Sequence, residues 1–488
     1  MVDQQEVFED LPLVVDLDGT LILSDLLYES ILKLAITNPQ KIIALPGYLL
    51  AGKAELKRYV ANQITLNVAT LPYNKLLLEW LHLQKLNGRR LILCTASDQL
   101  YADAVAKHLG IFDHVLGSNG TNNLVGEDKA LALGELLKGK PYVYAGNSKS
   151  DLHVWAKSAA AVVVNVDKNT EAKVAKTYKI EKKILSHTNA GVADFLRTLR
   201  AHQWVKNIII FFPLIASHDL ENYQSWNTLA FAFFSFCSCA SAVYIANDLF
   251  DLESDRLHTR KKARVFASGK VSIGTGVFLI PVLLFISLYL SLYVSAAFVN
   301  TLILYFALTC LYSIYLKRIA LLDCITLSIL YTLRIIAGAA AIGNILSFWL
   351  ASFSIFIFLS LAFVKRYAEV YDLLLTKNTH SEKLIGRDYT SKDAPLILTM
   401  GVTAGYSAAI VMAIYLNSDE IRMLYSNISA VWIAILVLVF WVSWMWFQAN
   451  RGNMHDDPII FAIRDKISLI AGISFVGLML AGALGLSW

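Results

Sequence analysis

The chain has 488 residues, of which 56% are hydrophobic and 17% charged, and its mean hydropathy is +0.52. Soluble globular proteins carry about 25% charged residues, so the composition excludes a wholly soluble protein. The net charge of +5 is too small, without a basic run interleaved with aromatic residues, to indicate a nucleic-acid partner.

The charged residues divide the chain into two halves. Residues 1–200 hold 44 of them and residues 201–488 hold only 37, which predicts a domain in water followed by a domain in lipid. The N-terminal residues MVDQQEVFEDLP are acidic and lack an apolar core, so they do not predict a signal peptide. The five cysteines show no metal-ligand spacing, and we expect packed thiols rather than a disulfide framework.

The first predicted strand ends in a pair of carboxylates. The apolar residues LPLVV run into Asp16-Leu17-Asp18-Gly19-Thr20. Residues two apart on a strand share one face, and open α/β sheets place their sites at the carboxyl ends of the strands. The pair therefore predicts a site at that edge of a sheet.

Three later segments carry polar residues in comparable positions. RRLILCTASDQ predicts a strand ending at Thr95, GEDKALALGELL a helix beginning near Lys129, and PYVYAGNSKSDLHVW a strand followed by Asn147 and Asp151. Strands that alternate with helices predict a parallel sheet. The four motifs, in this order over about residues 8–168, resemble the haloacid dehalogenase superfamily.

That resemblance implies a phosphatase on a Rossmann-like α/β fold, with a parallel sheet and a small helical cap. Asp16 would be the nucleophile, Asp18 the general acid and base, and Thr95 and Lys129 would bind phosphate. The Mg²⁺ ligands that it implies are Asp16, Asp18, Asn147 and Asp151. The family often has aspartate where this chain has Asn147, whose amide lowers the negative charge by one. The alternative is an inactive remnant of the fold.

Two further segments complete the soluble half. Residues 25–88 are mostly helical by their pattern, and we expect them to form a cap over the phosphatase site. The lysine-rich residues 169–192 predict a solvated basic linker. The expected division is therefore a phosphatase-like domain at 1–168, the linker at 169–192 and an all-α membrane domain at 193–488.

Nine apolar stretches follow, each about long enough to cross the ~30 Å core of a bilayer as a helix. Of the 20 Lys and Arg after residue 200, 17 lie in the connections after even-numbered spans. That bias predicts a cytoplasmic N-terminal half, with Trp488 outside. The predicted spans are 203–218, 227–246, 272–293, 296–316, 320–342, 346–364, 396–416, 429–448 and 467–487.

Arg334 lies inside the fifth predicted span. A cation at the centre of a bilayer costs at least ~2.5–3.5 kcal/mol on insertion scales, so we expect Arg334 to face an anionic ligand such as phosphate. The alternative is a structural ion pair with a buried carboxylate such as Asp323.

The second predicted span ends in an acidic motif, NDLFDLESD, whose side chains share one helix face. These oxygen-bearing residues are Asn247, Asp248, Asp251 and Asp255. Clustered carboxylates repel one another unless cations lie between them, and hard oxygen ligands suit Mg²⁺, which binds diphosphate. Basic residues downstream, including Arg260, Lys261 and Arg264, would bind phosphate oxygens. The alternative is an acidic helix end followed by a basic segment attracted to anionic lipid.

An N-D-x-x-D-x-x-x-D motif after a second span, in a chain of nine predicted helices, resembles the UbiA superfamily of intramembrane transferases. The resemblance covers about residues 193–488 and includes LRAHQWVKN, the ASG after the acidic motif, YSIYLKR and LRIIAGAAA. It implies that Mg²⁺ held by Asn247, Asp248, Asp251 and Asp255 promotes the departure of diphosphate. It also implies that the lipid substrate enters from the bilayer.

The connection after the sixth predicted span distinguishes two branches of that family. Aromatic prenyltransferases usually carry a second D-x-x-x-D motif there, whereas this chain reads KRYAEVYD, with Lys365, Arg366 and Glu369. Together with HDDPIIFAIRDK, this resembles the polyprenyl-phosphate phosphoribosyltransferases, which join phosphoribosyl diphosphate to a polyprenyl phosphate. An anionic acceptor needs cations to hold it, so Lys365 and Arg366 favour this branch, with Glu369 as a further metal ligand.

The sequence thus predicts a Mg²⁺-dependent transferase of the inner (plasma) membrane, fused to a phosphatase that removes the 5-phosphate of its product. Its partners would be a polyprenyl lipid, a diphosphate-bearing donor and the bilayer. The alternative is prenyl transfer from a polyprenyl diphosphate to an aromatic or other small acceptor, with an independent phosphatase. A transporter is disfavoured because the sequence shows no two-half symmetry with broken helices at matching positions.

Overall fold

The computed structural model describes residues 8–186, 191–258, 260–375, 383–384, 386–418, 424–454 and 457–485. The chain divides into two compact units. Unit 1 comprises Met1–Ala201 and Tyr244–Pro281, and unit 2 comprises His202–Val243 and Val282–Trp488. The acidic motif therefore belongs to the same unit as the soluble half, whereas the sequence placed it in a separate domain beginning at residue 193.

Unit 1 contains one six-stranded parallel sheet with the strand order β3-β2-β1-β4-β5-β6. Its strands are β1 (Leu13–Val15), β2 (Leu91–Asp98), β3 (His114–Ser118), β4 (Val143–Gly146), β5 (Ala160–Val164) and β6 (Ile180–Ile184). Leu13 and Val15 pack in one apolar core and Val14 in another, because successive side chains of a strand point to opposite faces. Helices cover both faces, which confirms the predicted parallel α/β fold.

The helices in residues 1–201 of unit 1 precede, cover and follow this sheet. They are α1 (Leu26–Thr37), α2 (Leu45–Ala51), α3 (Lys53–Gln63), α4 (Lys75–Leu86), α5 (Gln99–Leu109), α6 (Glu127–Leu136), α7 (Leu152–Trp155), α8 (Lys168–Thr177) and α9 (Val192–Thr198). Helices α1 and α3 share a small core of their own, around Leu34 and Val60, and both lie within residues 25–88, where the sequence predicts a cap. Helix α4 instead packs on the sheet through Leu77 and Leu81.

The lysine-rich segment predicted as a linker is largely part of the sheet domain. Residues 168–177 form α8, and β6 pairs in parallel with β5, where Lys182 lies opposite Val162. Lysines along β6 face water because this is an edge strand, and charged residues on edge strands prevent further pairing. The same composition therefore suits a solvated linker and an edge strand.

The first predicted span is not an α-helix of spanning length. Residues Ala201–Phe211 form a 3-10 helix, and the short α-helix α10 (Phe212–Ala216) follows with Pro213 in its first turn. At about 2.0 Å per residue for a 3-10 helix and 1.5 Å for an α-helix, the two together extend about 30 Å. Gly338 allows the main chain of Ile210 to pack closely, because a Cβ there would lie 2.0 Å from the Ile210 carbonyl oxygen.

The remaining helices are mostly long and apolar. They are α11 (Tyr223–Phe250), α12 (Leu252–Leu257), α13 (Ile273–Ser291), α14 (Ala296–Ile314), α15 (Leu322–Ala341), α16 (Phe348–Leu375), α17 (Ala394–Tyr415), α18 (Ile428–Asn450), α19 (Pro458–Arg464) and α20 (Lys466–Ala483). Within the described residues, eight of them are long and apolar enough to cross a membrane. The prediction of nine spanning helices was therefore wrong, because the segment containing Pro213 winds mainly as a 3-10 helix.

Candidate active sites

The sheet register brings the predicted phosphatase motifs to one edge. Val15 of β1 lies opposite Leu93 of β2 and Ala145 of β4, so the next residues of all three strands emerge side by side. Asp16 directly follows β1 and Asn147 directly follows β4, whereas Thr95 lies within β2, which continues to Asp98 beyond the predicted strand end. Neighbouring parallel strands thus place three motifs from distant parts of the chain in one site.

Asp16 is paired with a buried lysine. Lys129 Nζ, near the start of α6, lies 2.8 Å from Asp16 Oδ1 and 2.9 Å from the Tyr144 hydroxyl oxygen. Tyr144 in turn donates to Asp151 Oδ1 at 2.9 Å. Burial raises the pKa of Asp16 to about 6, although Lys129 opposes that shift. A carboxylate beside a fixed cation can approach an anionic phosphoryl group.

Asp18 has the environment of a proton donor. Its Oδ2 accepts hydrogen bonds from Ser97 Oγ at 2.6 Å and Thr95 Oγ1 at 3.4 Å, and its Oδ1 accepts from Leu26 N at 2.9 Å. Burial, with Asp25 nearby, raises the pKa of Asp18 to about 7. A carboxyl group with a pKa near neutrality can both give and take a proton, as a general acid and base must.

The two residues of the last phosphatase motif differ in their contacts. Asp151 Oδ2 accepts from the backbone amides of Asn147 and Ser148 at 3.0 and 2.9 Å, which makes it a loop-holding residue. Asn147 Oδ1 accepts from Thr20 Oγ1 at 3.1 Å. Within the described chain, no three acidic, histidine or cysteine side chains gather as a metal site. The oxygens of Asp16 and Asn147 are hard donors of the kind that Mg²⁺ takes.

Sequence reasoning missed three residues around this site. Ser97 lies two residues after the Thr95 motif, and Tyr144 points back from β4. Lys57 of the cap helix α3 donates to the Ala96 carbonyl oxygen at 2.7 Å and to Asn123 Oδ1 at 2.8 Å. The two hydroxyl residues of Thr95-Ala96-Ser97 could have indicated Ser97. The contacts of Lys57 could not be predicted, because they form only where α3 packs near the end of β2.

The acidic motif lies where α11 gives way to the short helix α12. Helical hydrogen bonds continue across this kink, from Asp251 N to Asn247 O at 2.9 Å and from Asp255 N to Asp251 O at 2.8 Å. The shared helix face predicted from the spacing is thus retained. Asp248 and Asp255 are buried, whereas Asn247 and Asp251 are half-buried.

Two arginines neutralise the buried carboxylates. Arg200 forms a bidentate pair with Asp248, with its Nε 3.0 Å from Oδ2. Arg264 Nη1 lies 3.0 Å from Asp248 Oδ1 and 2.6 Å from Asp255 Oδ2. Burial raises the pKa of Asp255, although Arg264 opposes that shift. One nitrogen of Arg264 therefore bridges the two carboxylates and holds them side by side.

The basic run after the motif divides into two kinds of residue. Arg264 contacts the carboxylates, whereas Arg260 and Lys261 are exposed. Sequence reasoning named all three and missed Arg200, although it quoted the LRAHQWVKN segment that contains it. The pairing of Arg200 with Asp248 joins residues 48 positions apart, so local spacing could not indicate it.

Among the described residues of unit 2, Lys365 contributes to a cluster in which two lysines contact one carboxylate. Lys206 Nζ lies 2.6 Å and Lys365 Nζ 3.5 Å from the same oxygen of Asp457. Burial disfavours the Asp457 carboxylate, but the two lysines outweigh it and lower its pKa to about 2. Two cations share one anion here, which suits the binding of a further anion.

Arg366, the next residue, faces a different cluster. It is wholly buried, with Nη2 2.7 Å from Asp323 Oδ2, and it also pairs with Glu369. Arg387 Nη1 lies 2.9 Å from Asp323 Oδ1 and its Nε 3.6 Å from Glu369. Arg366 and Glu369, predicted to bind phosphate and metal, thus lie in an ion-pair network with Asp323 and Arg387. Adjacent residues on α16 thus serve different clusters.

Arg334 is buried among polar and aromatic groups. Its Nε donates to Asn207 Oδ1 at 2.9 Å and its Nη2 to the Tyr305 hydroxyl at 3.1 Å. Its guanidinium lies 5.0 Å from the ring centroids of Tyr305 and Tyr331. The carboxylate considered as its alternative partner, Asp323, is engaged by Arg366 and Arg387 instead.

Comparison with known families agrees with this arrangement. Residues 210–470 match the model of the UbiA prenyltransferase family. The chain belongs to that family. Residues 13–155 match the haloacid dehalogenase-like hydrolases. The protein is therefore an integral membrane enzyme of the UbiA family that carries an N-terminal hydrolase-like domain.

Relatives of this UbiA-family chain support the same division. The protein y4nM of Sinorhizobium fredii is 34% identical over 97% of this chain and 90% of its own length. Nodulation protein NoeC of Azorhizobium caulinodans is 32% identical over 57% of this chain and 89% of its own. Decaprenyl-phosphate phosphoribosyltransferase of Mycolicibacterium smegmatis is 28% identical over 59% of this chain and 91% of its own.

Proposed function

We propose that the membrane half transfers 5-phosphoribose from phosphoribosyl diphosphate to a polyprenyl phosphate, and that the phosphatase half then removes the 5-phosphate. The similarity to decaprenyl-phosphate phosphoribosyltransferases supports the first step. The observation that carries the choice is the cluster of Lys206, Lys365 and Asp457, in which the cations outnumber the carboxylate. An acceptor phosphate is an anion, and this cluster attracts one.

In the first step, an oxygen of the acceptor phosphate forms a bond to C1 of the ribose. The bond between C1 and the diphosphate breaks, and diphosphate leaves with the electron pair. Asp248 and Asp255, with Asn247 and Asp251, would hold Mg²⁺, which supplies positive charge to the leaving diphosphate. Arg264 adds charge at the same place, and the ionised acceptor needs no general base.

In the second step, the Asp16 carboxylate attacks the phosphorus of the 5-phosphate while Asp18 protonates the departing ribose oxygen. Water then attacks the aspartyl phosphate, giving its proton to Asp18, and phosphate and free Asp16 result. Lys129 reduces the repulsion between Asp16 and the phosphoryl group. Mg²⁺ held by Asp16 and Asn147 would add positive charge there.

We place the phosphatase half in the cytoplasm and the protein in the inner (plasma) membrane. The support is the distribution of basic residues: of the 20 Lys and Arg after residue 200, 17 lie at the C-terminal ends of α11, α14, α16 and α18 or in the segments that follow these helices. The phosphatase half would share that side, because Glu29 contacts Arg256 beyond the end of α11. The C-terminal Trp488, which this bias places outside, lies beyond the described residues.

Purified protein with Mg²⁺, labelled phosphoribosyl diphosphate and polyprenyl phosphate tests the proposal. We expect label to enter the lipid phase and diphosphate to be released. Absence of labelled lipid would overturn the transferase assignment. The family to which the chain belongs favours one alternative, prenyl transfer to an aromatic or small acceptor. Release of diphosphate from a prenyl diphosphate, and not from phosphoribosyl diphosphate, would establish that alternative.

A further inference from the structure

The first helix of the phosphatase half contacts α12, the short helix that carries the end of the acidic motif. Glu29 of α1 accepts two hydrogen bonds from Arg256 of α12, at 2.5 and 3.1 Å. Both side chains are at most 7% exposed. A buried, bidentate arginine–carboxylate pair fixes the orientation of both partners as well as their distance.

A second contact lies beside this pair. Arg256 Nε also donates to the Ala267 carbonyl oxygen at 3.2 Å, in the ASG segment that follows the acidic motif. Gly269 of that segment lies against Leu23, since a Cβ at Gly269 would be 2.6 Å from the Leu23 Cβ. Leu23 belongs to the loop that follows Asp18. The contact between Leu23 and Gly269 therefore connects the loop after the phosphatase motif with the segment after the acidic motif.

One helix therefore connects the two candidate sites of unit 1. The N-terminus of α1 binds Asp18 through Leu26 N, and Glu29, one turn later, binds Arg256. Arg256 adjoins Asp255, whose carboxylate meets Arg264 at 2.6 Å. Helix α12 has only six residues and follows the kink at the end of α11. Backbone hydrogen bonds join it to α11, and side-chain contacts such as the Glu29–Arg256 pair fix the direction in which it leaves the kink.

We propose that the phosphatase half is a structural part of the transferase site, with Glu29 as a positioning residue that holds α12 and Asp255 in place for diphosphate departure. The surface around Arg256, Ala267 and Gly269 is thus the docking site of the cap. Transfer depends on the folded phosphatase half but not on its chemistry. This inference rests on the proposed function, because it takes the acidic motif as the diphosphate site.

The test measures diphosphate release by full-length protein with Mg²⁺, phosphoribosyl diphosphate and polyprenyl phosphate. Glu29→Gln and Arg256→Gln should each slow release by about tenfold, since small displacements of catalytic groups have effects of that size or larger. The double variant E29R/R256E should recover most of the loss. Hydrolysis of p-nitrophenyl phosphate should stay within about twofold in Glu29→Gln, which shows that the phosphatase half has folded.

Lys33→Met is the matched control on the same helix. Lys33 pairs with Glu253 of α12 at 3.1 Å, but these side chains are 29% and 45% exposed, and exposed pairs contribute little. Lys33→Met should leave release unchanged. Wild-type rates in Glu29→Gln, or a charge-reversed double variant no faster than the single variants, would overturn the inference.

Hydrogen exchange of the amides of Leu252–Leu257 gives a readout that needs no turnover. Exchange there should be faster in Glu29→Gln and return toward the wild-type rate in E29R/R256E. If wild-type protein releases no diphosphate, the proposed function fails while this measurement still tests the docking. Unchanged exchange in Glu29→Gln would show that the pair does not hold α12.

Discussion

Both acidic sites of unit 1 hold carboxylates beside cations, but different scaffolds position these carboxylates. In the phosphatase site, strand ends place the residues, and the sheet hydrogen bonds that set the register also set the positions of Asp16 and Thr95. In the acidic motif, the carboxylates lie at a helix kink, and arginines from separate segments hold them. Backbone pairing positions one site, and side-chain ion pairs position the other.

The cations differ accordingly. Lys129 is a point charge beside Asp16, the proposed nucleophile, which suits a group that must stay free to react. Arg264 is a planar fork that bridges two carboxylates, which suits residues that must stay together. Under the proposed roles, the reacting carboxylate of Asp16 pairs with a lysine, whereas the diphosphate-site carboxylates of Asp248 and Asp255 pair with arginines.

The largest expected effect separates the two chemistries. Asp16→Asn keeps the shape of the nucleophile but removes its charge, so phosphate release from ribose 5-phosphate should fall by about 10³-fold or more. Diphosphate release should remain at the wild-type rate, and lipid that still carries the 5-phosphate should accumulate. A normal dephosphorylated product would contradict the assignment of Asp16.

Asp248→Asn tests the acidic motif, the second of the two sites compared. It removes the carboxylate that Arg200 and Arg264 share, and diphosphate release should fall by about 10²-fold. Glu253→Gln is the matched control, because Glu253 is a partly exposed carboxylate that begins the neighbouring turn of α12. If Glu253→Gln slowed diphosphate release as much as Asp248→Asn, the rate would depend on the total negative charge of this segment and not on Asp248 itself.

Within the basic run, Arg264→Ala should slow diphosphate release by about tenfold, the range for losing a charged hydrogen bond. Arg260→Ala should change the rate by less than about twofold because Arg260 is exposed. The measurement is the release rate at saturating substrate for each variant. If both variants slowed diphosphate release equally, the basic run would act through a diffuse attraction to anionic lipid and not through the bridge from Arg264 to Asp248 and Asp255.

The smallest expected effect concerns Asn147. Asn147→Asp restores the carboxylate that the haloacid dehalogenase family often has, and the Thr20 hydroxyl can still donate to it. Added negative charge strengthens binding of a divalent cation, so half-saturation by Mg²⁺ should fall by about threefold. Titration of p-nitrophenyl phosphate hydrolysis with Mg²⁺ measures it, and weaker binding would mean that position 147 faces away from the metal.

Local patterns predicted the elements whose physics is local. The apolar run before Asp16 specified a buried parallel strand, and the spacing of the acidic motif specified one helix face. The same patterns predicted a spanning α-helix where residues 201–216 form a 3-10 helix and α10. They also predicted a linker where residues 168–184 include α8 and β6. Apolar composition does not distinguish a 3-10 from an α-helix, and lysines are equally stable in a linker and on an edge strand.

By itself, the sequence determined the two fold classes, the order of the phosphatase motifs and the acidic motif, because strand and helix periodicity and residue chemistry are properties of short segments. Only the tertiary structure decided which cation meets which anion. Lys365 reaches Asp457 while Arg366 reaches Asp323, and Glu29 meets Arg256 across 227 residues. Such pairs form where separate elements pack and exclude water, and no spacing along the chain encodes that encounter.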